Sequence, residues 1–439
     1  MASNRLARWW GEPTARRWLL FAVLATVFLS VNVLRLSTAV IAEPLMAAFD
    51  TTGAQLGTLH AAFFYVYAVM QIPTGILVDR VGPRRTAAVG ALVMNVGAIW
   101  FALAGSYAGA LGARLLIGLG GSVIFVSMLR FCAGWFRAEE FATMSGICFA
   151  VGGVGGILAT TPFALAVDVA GWRETLVALG VVGLVASALT YAFVRDSPER
   201  AGLEPIQGVP EQARLTMEEV RTYTRRVLAD RSTWVVSLLL FCTGGVNLTL
   251  FGLWGIPYVV QTYGTTVTVG SLVTLLGGLG AVLGPPAFGW LSDRIDRRTE
   301  FIIAGCLVFT LALGLIAVVG APPLPVVGLI FFINGALLGT FVLTYPMVKE
   351  RHPSRASGIS TGSVNGASFL GAAILPTVMG RALDAYWTGE VVGGARVYTA
   401  AGYRVAFAIA TLCGAIAVLC ALWLHWRDRD VSGGGSATY

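Results

Sequence analysis

Residues 75–85 read Gly75-Ile-Leu-Val-Asp79-Arg80-Val-Gly82-Pro-Arg84-Arg85, and residues 289–298 read Gly289-Trp-Leu-Ser-Asp293-Arg294-Ile-Asp296-Arg297-Arg298. Each run closes a long apolar stretch, and the two aspartates stand 214 residues apart. Ser145-Gly146 and Pro162 recur as Ser357-Gly358 and Pro376 at offsets of 212 and 214. The chain therefore repeats itself once. Around this repeat the composition is that of a membrane protein. Of 439 residues 56% are hydrophobic and 12% charged, with a mean hydropathy of +0.76. A soluble surface needs roughly a quarter of its residues charged. A bilayer core about 30 Å thick takes ~20 apolar residues per helix.

Apolar runs predict helices 1–6 near 18–46, 54–79, 85–104, 108–136, 140–167 and 173–195. Helices 7–12 follow near 233–263, 267–292, 299–319, 324–349, 355–382 and 403–426. The fold class expected is an all-α membrane protein, twelve transmembrane helices in two pseudo-symmetric six-helix bundles. The division is a tail over 1–17, bundles over 18–195 and 233–427, a loop over 196–232 and a tail over 428–439. The apolar run of helix 1 continues past Ile41, too long for the core of a signal peptide.

Placing the N-terminus inside puts 23 of the 30 basic residues in inner segments and four in outer ones; Arg35, Arg114 and Arg130 lie within helices. By the positive-inside rule both termini are expected in the cytoplasm and the chain in an inner membrane. The net charge of +7 is then topogenic and implies no nucleic-acid partner. In the central loop, Thr216 and Glu219 form a T-x-x-E capping box. The residues after it, over 211–230, suit a short amphipathic helix on the anionic inner leaflet or a solvated linker helix. The six cysteines all fall in apolar stretches without metal-ligand spacing. No metal, cofactor or catalytic constellation is expected, and the chain reads as a monomer whose partners are the lipid bilayer and a small molecule.

The G-x-x-x-D-R-x-G-x-R-R run resembles the signature of the major facilitator superfamily, and the resemblance covers the whole chain. It implies two related halves around a central site and transport by alternating access, as in other repeat-built transporters. By that resemblance Gly75, Asp79, Arg80 and Arg84 form a cytoplasmic clasp. Gly75 admits close helix approach, and Asp79 accepts from arginines and a helix end of the other half. Asp293 and Arg294 belong to a second copy one residue shorter. Arg114-Leu-Leu-Ile-Gly118-Leu-Gly120 resembles a second family motif in helix 4. Small residues there and in helix 5 mainly permit close packing.

A charge at mid-bilayer costs about 2.5–3.5 kcal/mol even on lenient scales, so arginines inside helices call for a reason. No acidic residue lies centrally in any predicted helix, so an electropositive cavity that takes an anion is expected. A guanidinium suits a carboxylate or phosphate bidentately. Arg35, Arg114/Gly118, Arg130 and Trp135-Phe136 also resemble the anion:cation symporter branch, in which the helix 1 arginine contacts the substrate anion. Arg35, with Asn32 one turn before it, inherits that role. Leu34 stands where an acid often precedes that arginine, which leaves proton coupling open. Arg130 is either an inner stop on the pathway or a side chain snorkelling to the interface. Arg114 reads as a structural residue bonded to backbone carbonyls.

His60, Phe64, Tyr67 and Gln71 share one face of helix 2. Tyr67 and Gln71 are candidate lining residues. His60 is either a titrating group for a coupling ion, proton or sodium, or a packing residue. Asn247, Tyr258, Asn334 and Asn365 are candidates on the other half, and Trp254 with Tyr258 could instead belong to an outer aromatic belt. The function expected is secondary active transport of a small carboxylate- or phosphate-bearing anion. The alternatives are drug or metabolite efflux, with Arg35 paired internally, and a transporter-like membrane sensor.

Overall fold

The computed structural model describes residues 12–209, 216–295, 297–353 and 356–433. Among the described residues ten helices are each long and apolar enough to cross a bilayer, and counting each of two bent pairs as one span gives twelve. Helices 2, 3, 6, 8, 9 and 11 run over Gly53–Val81, Pro83–Leu103, Trp172–Phe193, Val267–Ile295, Arg298–Val319 and Ser357–Asp384. All lie within three residues of the runs read from hydropathy. Helix 12, Ala400–Gly433, is longer than expected at its C-terminal end.

Five helices expected to be continuous are interrupted. Helix 1 runs over Pro13–Leu36, tightens into a 3-10 turn at Ser37–Ala39 and resumes at Ala42–Phe49. Helix 4 is Tyr107–Ser122 and Ile124–Trp135, and helix 5 is Ala138–Leu158 and Thr161–Ala170. Helix 7 is Arg231–Thr249, a π-helical segment Leu250–Trp254, and Gly255–Tyr263. Helix 10 is in three pieces, Leu324–Ala336, Leu338–Val342 and Thr344–Glu350. In four of the five, the resumed piece carries a proline in its first turn: Pro44, Pro162, Pro257 and Pro346. A proline there gives up no intrahelical bond, because the first N–H groups of a helix have no partner within it. Helix 4 breaks at Val123 without a proline, after Gly118, Gly120 and Gly121.

By contacts the chain forms two compact units. The first holds the described residues up to Arg35, Val69–Ala159 and those from Ala166 to 209; the second holds Leu36–Ala68, Thr160–Leu165 and those from Thr216 onward. Helix 1 thus changes unit at its interruption, and the first part of helix 2 packs with the later helices. Close approach in both units depends on glycine. A Cβ at Gly120 would lie 2.3 Å from the Gly90 carbonyl oxygen, and one at Gly335 only 1.9 Å from that of Gly277. Without a hydrophobic force between helices in lipid, such contacts let backbones meet and gain dispersion energy.

Two further elements lie outside the spans. Thr216 caps the helix Met217–Ala229, accepting from the Glu219 N–H at 3.2 Å while Glu219 accepts from the Thr216 N–H at 2.8 Å. Residues 211–215 of the expected segment lie outside the described residues. The loop after helix 11 folds into an antiparallel hairpin, Trp387–Val392 (β1) with Ala395–Tyr398 (β2), which hydropathy did not suggest.

These contacts set an expectation for stability in detergent. Gly335→Ala should cost about 1–3 kcal/mol by overpacking, read as a lower thermal midpoint. Gly75→Ala, where a Cβ meets nothing within 4 Å, should leave the midpoint unchanged or slightly raised.

Candidate functional site

The first unit brings two arginines to the end of the long piece of helix 1. The last carbonyls of a helix have no partner within it, and here they fall in the middle of a span. Arg114, 2% exposed, donates from Nη1 to the Leu34 carbonyl at 2.9 Å, with its guanidinium 5.7 Å from the Phe101 ring centroid. Arg35 stands in the same last turn, half-buried. A cation there also meets the negative end of the helix dipole. Asn32 orients it: Oδ1 accepts from Arg35 Nη2 at 2.5 Å, while Nδ2 donates to the Phe28 carbonyl at 2.9 Å. Asn32 is 1% exposed. The Asn32 amide, expected as a ligand contact, is engaged with Arg35 and with its own helix. Helix 5 closes on this segment through Gly152 against Phe28 and Gly155 against Leu29 and Asn32.

Arg130 takes a different place from the one expected of a ligand contact. Its Nε lies 3.1 Å from Asp79 Oδ1, both side chains partly exposed. The motif aspartate therefore finds its arginine within its own unit, and the pair joins helix 4 to the end of helix 2. Arg84 is likewise engaged close by. Its backbone N–H donates to Asp196 Oδ1 at 2.8 Å, and its Nε donates to the Tyr191 carbonyl at 2.8 Å. Gly82, at φ 92°, makes this turn possible, since a Cβ there would meet the Asp196 carboxylate at 2.6 Å. Arg80 is exposed. Gly75 touches no neighbour that a Cβ would meet, so the close approach expected at that glycine is not present. In the second copy the Asp293 side chain lies outside the described residues, and Arg294 is exposed with its guanidinium 5.3 Å from the Trp290 ring.

In the second unit His60 is wholly buried against helix 7. A Cβ at Gly252, inside the π segment, would lie 2.8 Å from His60 Cε1. Tyr67 is buried and packs its ring 4.4 Å from Phe369 and 5.4 Å from Phe63. Gln71, in the first unit, is half-buried. Asn247 and Asn334 are buried, and each donates Nδ2 to the carbonyl four residues earlier, at 3.1 and 2.8 Å. Their Oδ1 atoms accept no hydrogen bond among the described residues. Asn365 Oδ1 accepts from the Tyr345 hydroxyl at 2.8 Å.

Tyr258 is not a lining residue. It is fully buried, its hydroxyl donates to the Gly320 carbonyl at 2.9 Å, and its ring packs among Tyr403 and Phe407. Trp254, 2% exposed, donates Nε1 to the Pro376 carbonyl at 3.1 Å. Neither residue therefore faces lipid as part of an aromatic belt.

Several engaged residues carried no signal in the sequence. Arg17 forms a bidentate pair with Glu140, both contacts 2.8 Å. Asp384, at the end of helix 11, accepts from backbone N–H groups of helix 2. Contacts across 123 and 331 residues leave no local periodicity to read. Among the described residues no group of three or more His, Cys, Asp or Glu side chains is placed to hold a metal ion.

A repeated, polytopic helical chain with mid-span guanidinium groups is built as membrane carriers are. A family model, the Major Facilitator Superfamily, matches residues 19–376 and 236–438. The chain belongs to that superfamily, and the proteins it resembles are transporters. It is 28% identical over 286 residues to a probable sulfoacetate transporter of Cupriavidus necator, a match spanning 64% of this chain and 66% of that one. It is 24% identical to a D-galactonate transporter of Escherichia coli, spanning 85% and 91%. It is 23% identical to a hexuronate transporter of Bacillus subtilis, spanning 81% and 86%. Among solved structures it resembles a bacterial homolog of the human lysosomal transporter Spinster, with a TM-score of 0.75 at 17% identity, covering 94% of this chain and 97% of that one.

The Arg114 contact has a measurable weight. Arg114→Met removes the donor and leaves the buried Leu34 carbonyl without it, which should cost about 1–3 kcal/mol. Thermal unfolding of the purified protein in detergent checks this, with Arg80→Met, at an exposed arginine, expected within about 0.5 kcal/mol of the parent.

Proposed function

We propose that the protein is a secondary active transporter that moves a small organic anion, a carboxylate, sulfonate or phosphate ester, by alternating access. The observation that carries this reading is Arg35, half-buried at the interruption of helix 1 with its guanidinium oriented by Asn32. A cation held in mid-span is costly, and a fixed, partly accessible guanidinium is the group that pairs with a planar anion. The names of the relatives agree in kind: a sulfonate, two sugar acids, and hexose phosphates in a further group.

In this reading Arg35 is the anion contact and Asn32 its positioning residue. Arg114 holds the helix end that presents Arg35. Gln71, half-buried in the same unit as Arg35, lines the path, while Asn247 and Asn334, buried and bonded to their own helices, hold helices together. Arg130, paired with Asp79, belongs to the gate. His60, packed on the π segment, is a packing residue. Both termini face the cytoplasm of a prokaryotic cell, in keeping with the concentration of arginine in the tail, the 2–3 loop and the central segment.

Alternating access adds a further point. Gly75, Gly146, Gly289 and Gly358, near the cytoplasmic ends of helices 2, 5, 8 and 11, all have room for a Cβ, whereas Gly57 and Gly380 near the opposite ends press on backbone. The open glycines leave room on helices 2, 5, 8 and 11 for movement at that end.

The test is ligand-induced thermal stabilisation of the purified protein. A panel of small sulfonates, sugar acids and sugar phosphates is run beside neutral amphipathic drugs, on the parent, Arg35→Ala and Arg35→Lys. A ligand at a hundred times its Kd stabilises by about 2.7 kcal/mol. Stabilisation by one anion class, lost in Arg35→Ala and partly kept in Arg35→Lys, is expected. Stabilisation by the drugs alone, equal in all three proteins, would overturn the anion reading.

A further inference from the structure

Helix 2 begins with a division of labour at its N-terminus. Thr52 and Gln55 form a local capping box: the Thr52 N–H donates to Gln55 Oε1 at 2.9 Å, and the Gln55 N–H donates to Thr52 Oγ1 at 3.2 Å. That box serves the cap and the third helical residue. The N–H groups of the first two residues, Gly53 and Ala54, are left over. Both donate to one carboxylate, Asp384, at 2.7 Å to Oδ1 and 2.8 Å to Oδ2. Asp384 is the last residue of helix 11. Helix 2 comes from the first half of the chain and helix 11 from the second, yet both segments lie in one compact unit.

The surroundings are built for this contact. A Cβ at Gly380 would lie 2.2 Å from the Gly53 carbonyl oxygen, and one at Gly57 would lie 2.3 Å from the Pro376 carbonyl oxygen. Glycine at 53, 57 and 380 therefore lets the two backbones touch one turn apart on each helix. Between them Thr58 Oγ1 stands 3.1 Å from Thr377 Oγ1. From the hairpin, the Tyr398 hydroxyl donates to Asp384 Oδ1 at 3.2 Å, and Arg396 Nη1 stands 3.7 Å from the same oxygen. The carboxylate is thus fixed from behind while its two oxygens face the helix 2 terminus.

We propose that Asp384 is the latch of the outer gate, holding helix 2 to helix 11 by capping the helix 2 N-terminus, and that opening to the outside requires these two bonds to break. Hydrogen bonds from backbone N–H to an ionised carboxylate are about twice as strong as neutral ones, and the positive end of the helix 2 dipole adds to them. Thr58, Thr377 and the packed glycines make the neighbouring contacts, to which the carboxylate adds two charged hydrogen bonds. Asp384 closes helix 11 as Asp79 stands near the end of helix 2, which gives each of the two helices a carboxylate at its C-terminal end. The latch rests on the alternating-access reading above and is independent of which anion is carried.

The test reads gate opening directly. Thr58→Cys places a thiol inside the helix 2–helix 11 contact, and the six native cysteines are all buried. Its labelling by a membrane-impermeant maleimide in intact cells measures the outward-open population. Introducing Asp384→Ala should raise the labelling rate about tenfold, the effect of losing charged hydrogen bonds of ordinary strength. Asp384→Asn, which keeps one acceptor oxygen, should fall between Asp384→Ala and the parent. Thr58→Cys combined with Thr377→Cys should cross-link under mild oxidation and abolish labelling in all three backgrounds. Should Asp384→Ala fail to reach the membrane, Asp384→Asn carries the comparison. Labelling within twofold of the parent in every variant that folds would overturn the latch, and would leave the ligand-stabilisation result untouched.

Discussion

In a bilayer the backbone must satisfy its own hydrogen bonds, because lipid offers no partner. Most features of this protein follow from how it meets that requirement where its helices stop short. Helices 1, 4, 7 and 10, the first of each consecutive set of three, are all interrupted within their spans. A helix that ends within a span leaves its last carbonyls without an intrahelical partner. At helix 1 the answer is Arg114, which reaches across to the Leu34 carbonyl. One residue further on stands Arg35, the guanidinium best placed to meet an anion. The break and the two arginines belong together, because a helix end in the middle of a span attracts cations.

The interruptions also show where sequence reading reaches its limit. Twelve apolar runs were legible because a run of about twenty apolar residues seldom occurs outside a membrane span, and most helix ends lie within three residues of the expected ones. The breaks left hydropathy untouched. Thr38 or Val123 is as apolar as a continuous helix requires, so a window average passes straight over them. Pro44, Pro257 and Pro346 did carry the signal, each at the third position of a resumed helix. Pro285 lies inside a helix that continues, so proline alone does not mark a break.

For the site, chemistry was more legible than partnership. The mid-span arginines stood out because charge is rare in these spans. Their partners did not, since Asp79 with Arg130 and Arg17 with Glu140 depend on which helices adjoin. Tyr258 shows the same limit from the other side. It shares a helical face with polar residues, as a lining residue would, but its hydroxyl meets the carbonyl of Gly320, a loop residue 62 positions away. A helical wheel reports which face a side chain occupies and is silent on what lies opposite.

Asp384 was silent for a further reason. A carboxylate at a helix end near the membrane surface costs little, so its presence asks for no special cause. Its meaning comes from the two N–H groups of another helix that it caps. Arg35 and Asp384 therefore represent two ways of placing charge in a carrier. The arginine sits where charge is expensive, in the last turn of a helix that ends within a span. The aspartate sits where charge is cheap, and a carboxylate at a solvated edge can exchange its N–H partners for water at modest cost. A carboxylate buried in lipid would hold the same partners far more firmly. The strength of each group's hydrogen bonds follows from the dielectric around it.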